Sequence, residues 1–113
     1  MEKNHTIRFT IGGMIFEYDE EKSESNIKKH GLSLKNAAKV FLDYDRIELY
    51  DEEHSDEEDR FNIIGCIGDD ILFVVYTERE KRKRNGNRVD IIRIISARMA
   101  TDFERRLYYG KLD

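Results

Sequence analysis

The run Arg60-Phe61-Asn62-Ile63-Ile64-Gly65-Cys66-Ile67-Gly68-Asp69-Asp70-Ile71-Leu72-Phe73-Val74-Val75-Tyr76-Thr77 decides the fold. Two stretches rich in β-branched and aromatic residues flank Gly68-Asp69-Asp70, a tight turn, so they read as the arms of one hairpin. Working outward, Arg46 to Asp51 and Val89 to Ala97 have the same apolar, strand-like character. The four runs together make an antiparallel meander. Asn85-Gly86-Asn87 supplies turn chemistry before the last strand, and the polar stretch Glu78 to Asn87 reads as a protruding hairpin tip. Strict alternation along the last strand sets Ile92, Ile94, Ser96 and Arg98 on one face, with Ile91, Arg93, Ile95 and Ala97 on the other.

Helical signals surround this meander. Asp19 is placed as an N-cap, Glu20 and Glu21 suit the first turn, and Lys28 and Lys29 suit a C-terminus closed by Gly31. Ile27 is the only aliphatic residue in that helix, which predicts weak packing and a mostly polar surface. Ser33 caps a second helix, where Leu34, Ala37, Ala38 and Phe41 form one apolar stripe before an end near Leu42 to Tyr44. Upstream, Met14 to Tyr18 alternates as a half-buried strand, and Gly12-Gly13 turns it back on Thr6 to Ile11. Downstream, Thr101-Asp102-Phe103-Glu104 is a capping box opening a helix that runs through Tyr109 and ends at Gly110. The expected class is α+β: an N-terminal strand, two helices, an antiparallel meander of four strands and a C-terminal helix.

The 113 residues fit one domain, 1–113. Hydrophobic and charged residues each make up 39%, a polar balance, but 11% aromatic residues argue against a disordered chain. No stretch approaches the roughly 18 apolar residues of a membrane span. The start, Met1-Glu2-Lys3-Asn4-His5, lacks the apolar centre of a secretory signal, so a cytoplasmic protein is expected. The single cysteine, Cys66, excludes an internal disulfide and a Cys-rich zinc site. The net charge of −4 conceals a split: residues 79–113 carry eleven basic against five acidic side chains, net +6, and residues 1–78 carry −10. A polyanion-facing end is one reading of such asymmetry; charge solvating the surface is the other.

Several residues could carry chemistry. His54, inside the acidic run Asp51 to Asp59, is a candidate proton carrier because histidine titrates near neutrality. The run lacks the glycine and spacing of a calcium loop, so it reads as solvated and no metal is expected. Lys81, Arg82, Lys83 and Arg84, with Arg88 beyond, could grip phosphates; without interleaved aromatics they would track a backbone and not read bases. Tyr108 and Tyr109 suit either core closure or base stacking. Antiparallel pairing of the last two strands would put Arg79 near Ile91 and leave Arg98 at the opposite end, beside the final helix.

These segments resemble, in order, the BrnT family of bacterial toxins. The opening is Phe16-Glu17-Tyr18-Asp19-x-x-Lys22-x-x-x-Asn26-x-x-Lys29-His30-Gly31-Leu32-Ser33, followed by Ala37-Ala38-x-Val40-Phe41-x-Asp43. Asp51-x-x-His54-Ser55, Arg60-x-x-x-Ile64-Gly65 and Val74-Val75-Tyr76-Thr77-x-Arg79 come next, and Arg93-Ile94-Ile95-Ser96-Ala97-Arg98-x-Ala100-x-x-x-Glu104-Arg105 closes the match. Residues 1–13 extend beyond the family's usual start, and the 80–87 segment is longer and more basic than most.

The resemblance implies a RelE-like fold and a growth-inhibiting endoribonuclease of a type II toxin–antitoxin pair. It also implies a ribbon-helix-helix (BrnA-like) antitoxin, through which operator DNA is met only indirectly. For metal- and cofactor-free cleavage through the substrate's 2′-hydroxyl, Arg60, Arg79 and Arg98 are the expected phosphate contacts, with Arg93 beside them. His54 and Tyr108 are the expected proton carriers. A domain of the same fold that only binds RNA or the antitoxin is the alternative.

Overall fold

Residues 5–110 are described by the computed structural model. Six strands form one mixed sheet in the order β1-β2-β6-β5-β4-β3. The N-terminal hairpin pairs β1 (Thr6–Ile11) with β2 (Met14–Asp19) around Gly12 and Gly13, whose φ values of 56° and 81° suit glycine. So two full strands, not one, precede α1 (Glu20–His30). Helix α1 has the expected caps: the Asp19 carboxylate accepts from the Lys22 N–H, and Gly31 adopts the left-handed conformation.

Leu34, Ala37, Ala38 and Phe41 are buried as their spacing implies, but α2 (Leu34–Ala37) tightens into a 3-10 turn over Ala38–Leu42. The meander β3 (Ile47–Tyr50), β4 (Arg60–Ile67), β5 (Asp70–Arg82) and β6 (Arg88–Met99) is antiparallel throughout. The sheet is mixed because β2 joins β6 in parallel, Glu17 standing opposite Arg93. Strands β5 and β6 also run through most of the stretch expected as a polar tip, leaving only 83–87 as turn. Helix α3 (Asp102–Gly110) opens on the expected capping box, with Thr101 and Glu104 each accepting from the other's N–H.

Two clusters flank the sheet. On one face Phe16, Ile63, Leu72, Val74, Tyr76, Ile94 and Ala97 pack against Leu34, Ala38 and Phe41. Gly65 admits the 3-10 turn so closely that a Cβ there would lie 2.9 Å from the Val40 Cβ. Helix α1 is fastened by polar contacts in place of apolar ones. The Asn26 amide donates to the Ala97 carbonyl at 2.8 Å and accepts from the Ala97 N–H at 3.1 Å, and the Ser23 hydroxyl accepts from the Leu34 N–H. The second cluster, Ile64, Ile71 and Tyr108 with Ile47, Cys66 and Phe73, lies under α3 at one end of the other face.

The alternation expected along β6 fails at one place. The pairing shifts by one residue between Val75 and Tyr76: Val75 opposes Ser96 while Tyr76 opposes Ile94, so Ile95 is the extra residue of a bulge. A bulge reverses the phase beyond it. Ala97 therefore joins Ile94 in the core, and Arg98 comes round to the same face as Arg93.

Candidate functional site

The pairing registers align one row of side chains across the face not covered by α1 and α2. From edge to centre it runs Arg8, Glu17, Arg93, Thr77 and Arg60, each opposite the next on the neighbouring strand. Arg79 and Lys81 follow Thr77 along β5 at alternate positions, so they share this face. Thr6, Arg8, Glu17, Arg79, Glu80, Lys81, Ile91 and Arg93 line a cleft of about 580 Å³. All its walls are strand residues.

Glu17 is the centre of this cleft. Its side chain is only 4% exposed, covered by the guanidinium groups around it. Oε1 accepts from Arg8 Nε at 3.2 Å, Arg93 donates a short hydrogen bond to Oε2, and Arg79 stands 3.6 Å from the same Oε2. Burial pushes the Glu17 pKa up, but the hydrogen bonds and charges of Arg93 and Arg8 outweigh it and hold the carboxyl below its ordinary value. Arg79 is 48% exposed and spans from Glu17 to Glu58, 3.7 Å away on the acidic loop.

That loop borders the cleft through the Glu58 contact to Arg79. Its ends are tied down: Asp51 N–H donates to the Arg60 carbonyl at 2.9 Å, Ser55 Oγ accepts from the Arg60 N–H at 3.0 Å, and the Thr77 hydroxyl donates to the Asp59 carbonyl at 2.7 Å. His54 sits on the short turn Glu52–His54, exposed, with Nδ1 2.9 Å from the Asp51 carboxylate. A shallow hollow of about 290 Å³ has both His54 and Arg60 in its lining. Among the described residues no group of three or more His, Cys, Asp or Glu side chains is arranged to hold a metal ion.

Of the residues singled out from sequence, Arg60, Arg79, Arg93 and Lys81 therefore share one sheet face, with His54 at its rim. Arg82 and Arg88 face each other across the ribbon on the opposite side, and Arg88 lies 3.6 Å from Glu80. Lys83 and Arg84 sit in the exposed turn. Arg98 is on the arginine face but at its far end, bound by the Glu104 carboxylate at 2.7 and 2.9 Å and stacked 4.2 Å over Phe73.

Tyr108 lies elsewhere. It is buried under α3 and donates to Asp43 Oδ2 at 2.6 Å; burial and that carboxylate push its pKa up. Its surroundings are those of core closure, the first of the two roles the sequence suggested. Glu17 was invisible as a site residue, although the two-residue turn at Gly12-Gly13 already sets Arg8 opposite it.

A family model described as "Ribonuclease toxin, BrnT, of type II toxin-antitoxin system" matches residues 18–104, most of the chain. No curated protein matches it. Strand β1 and most of β2, which bring Arg8 and Glu17 to the cleft, precede the matched range.

Proposed function

The chain belongs to the BrnT family of ribonuclease toxins of type II toxin–antitoxin systems, and from that premise we propose that it cuts RNA by attack of the substrate's own 2′-hydroxyl, without a metal ion. The observation that carries this reading is the gathering of Arg60, Arg79 and Arg93, from three strands, on one open sheet face. In such a reaction the 2′-oxygen forms its bond to phosphorus as the bond to the 5′-oxygen breaks. One proton leaves the 2′-hydroxyl and another reaches the departing 5′-oxygen. The transition state concentrates negative charge on the phosphoryl oxygens, where always-charged, fork-shaped arginines stabilise it most.

Arg79, half-exposed and only loosely held, contacts the scissile phosphate, with Arg93 and Arg60 beside it. His54 at the rim moves a proton, directly or through one water. Lys81 extends the cationic track along the ribbon, and Lys83, Arg84, Arg82 and Arg88 add charge at its tip. We assign Arg98 and Tyr108 to holding α3 in place. The chain acts as one toxin-like domain with a RelE-like sheet, in the cytoplasm.

A toxin of this type has a cognate antitoxin. Here it is read as a dimeric ribbon-helix-helix protein that places acidic side chains over Arg79 and carries the pair to operator DNA. The test is cleavage of RNA by the purified protein in excess EDTA, with analysis of the new ends. Cleavage leaving a 2′,3′-cyclic phosphate or its 3′-phosphate product is expected. Activity lost to the chelator and restored by magnesium would overturn the mechanism.

A further inference from the structure

We infer that Glu17 is a positioning residue, holding the Arg79 and Arg93 guanidinium groups side by side as one phosphate clamp. The inference rests on the reading of this face as the RNA-cleaving site. Two guanidinium groups repel each other, and on an open sheet each would swing apart into solvent. Here both reach the same oxygen, Oε2 of Glu17, while Arg8 occupies Oε1. A carboxylate this buried is costly unless it is fully paired, so the arrangement is held from both sides. The registers leave little freedom: β1 fixes Arg8 opposite Glu17, and the parallel β2–β6 pairing fixes Arg93 opposite it.

The contacts also divide the arginines. Arg93 is 19% exposed and hydrogen-bonded directly to Glu17, so its direction is set. Arg79 is 48% exposed, 3.6 Å from Glu17 and 3.7 Å from Glu58, both longer than a charge-assisted hydrogen bond of about 2.7–2.9 Å. Glu17 thereby keeps Arg79 over the cleft without saturating it, and an incoming phosphate takes up its remaining donors. The carboxylate itself touches only arginines among these contacts and need not meet RNA.

Glu17→Gln keeps the shape and removes the charge. Wild type, Glu17→Gln and Arg79→Ala are compared for cleavage of total RNA after induced expression, and for binding of a purified single-stranded RNA oligonucleotide. The expected result is cleavage at least ten-fold slower for Glu17→Gln, with binding as tight as wild type or tighter because a negative charge has left a cationic cleft. A purely structural role would lower binding and thermal stability together, and a neutralising bystander would leave cleavage unchanged or faster; either result overturns the proposal. If Glu17→Gln does not fold, Glu17→Asp, which keeps the charge but withdraws it by one methylene, must slow cleavage while binding is retained. Should Arg79→Ala cleave like wild type, the reading of the site fails first, and that outcome is separable from failure of the Glu17 proposal.

Discussion

Arg79 and Arg98 stand on the same face of one sheet, on adjacent strands, and each meets a glutamate, yet they are held in opposite ways. Arg98 makes a bidentate pair with Glu104 at 2.7 and 2.9 Å, donates to the Met99 carbonyl and lies flat on Phe73. These contacts engage both of its terminal nitrogens within the fold. Burial opposes its charge, but the stronger Glu104 hydrogen bond raises its pKa, and the same bond lowers that of Glu104. Arg79 has two long contacts to two carboxylates and nearly half its side chain in solvent. An arginine is available to a ligand in proportion to the donors its own protein leaves unused. By that measure Arg79 belongs to the reaction and Arg98 to the scaffold.

The largest effect should break this comparison open. Arg79→Ala is expected to slow cleavage by about 100-fold or more, the usual cost of removing one transition-state donor. Its two contacts are long and Glu17 keeps Arg8 and Arg93 as partners, so stability should change by less than about 1 kcal/mol. Arg98→Ala should do the reverse. Loss of a bidentate pair and a cation–π contact is expected to cost about 1–2 kcal/mol. Tm would then fall by roughly 4–12 °C, while cleavage by the folded fraction stays near wild type. Thermal melts and cleavage rates on both variants check this. An Arg98→Ala protein that melts like wild type but no longer cuts would reverse the assignment.

The two regions also differ in how far sequence could reveal them. Caps and turns are local chemistry, so Asp19, Gly31, Ser33 and Thr101 marked the helix ends, and the bounds of β4 follow from its flanking polar residues. The opposite ends assigned to Arg79 and Arg98 follow from antiparallel pairing alone. The bulge at Ile95 left no such mark, because Ile94-Ile95 is an ordinary strand pair whose phase depends on what β5 offers across from it. That one residue moves Arg98 onto the arginine face. Similarly, Asn26 in α1 reads as a polar surface residue until β6 presents an unpaired Ala97 backbone for it to satisfy. Glu17 was hidden for the same reason: Arg8 is a hairpin neighbour, but Arg79 and Arg93 come from strands far along the chain.

Acid titration sharpens the contrast at an intermediate scale. Glu17 and Glu104 both titrate below the ordinary carboxylate value of 4.5 in the folded protein. The unfolded chain therefore binds more protons than the native one just below that value. The stability these groups contribute is present above pH 4.5 and lost as pH falls through their folded values. Glu104→Gln and Glu17→Gln should each flatten the acid side of the stability profile, measured by denaturant melts from pH 6 down to pH 3. Only Glu17→Gln should also slow cleavage at neutral pH. Equal loss of cleavage in the two variants would mean the two ends of the face work as one site.

The smallest effect concerns how far the active region extends along the ribbon. Beyond Thr77 and before Ile91, β5 and β6 pair only with each other, so alternate residues face opposite sides of a two-stranded arm. Lys81 follows Thr77 and Arg79 into the cleft, whereas Arg82 faces the other way, opposite Arg88. Total charge alone would make the two interchangeable. Position makes them unequal, because a phosphate chain crossing Arg79 passes Lys81 and misses Arg82. Lys81→Ser should lower the salt slope of binding to a single-stranded RNA oligonucleotide by about 0.7, the value for one phosphate contact. Arg82→Ser should leave that slope within error of wild type. Both side chains are exposed, so neither change should move Tm measurably. Equal slopes in the two variants would show that the arm attracts RNA only through its overall charge, and the cleft would then end at Arg79.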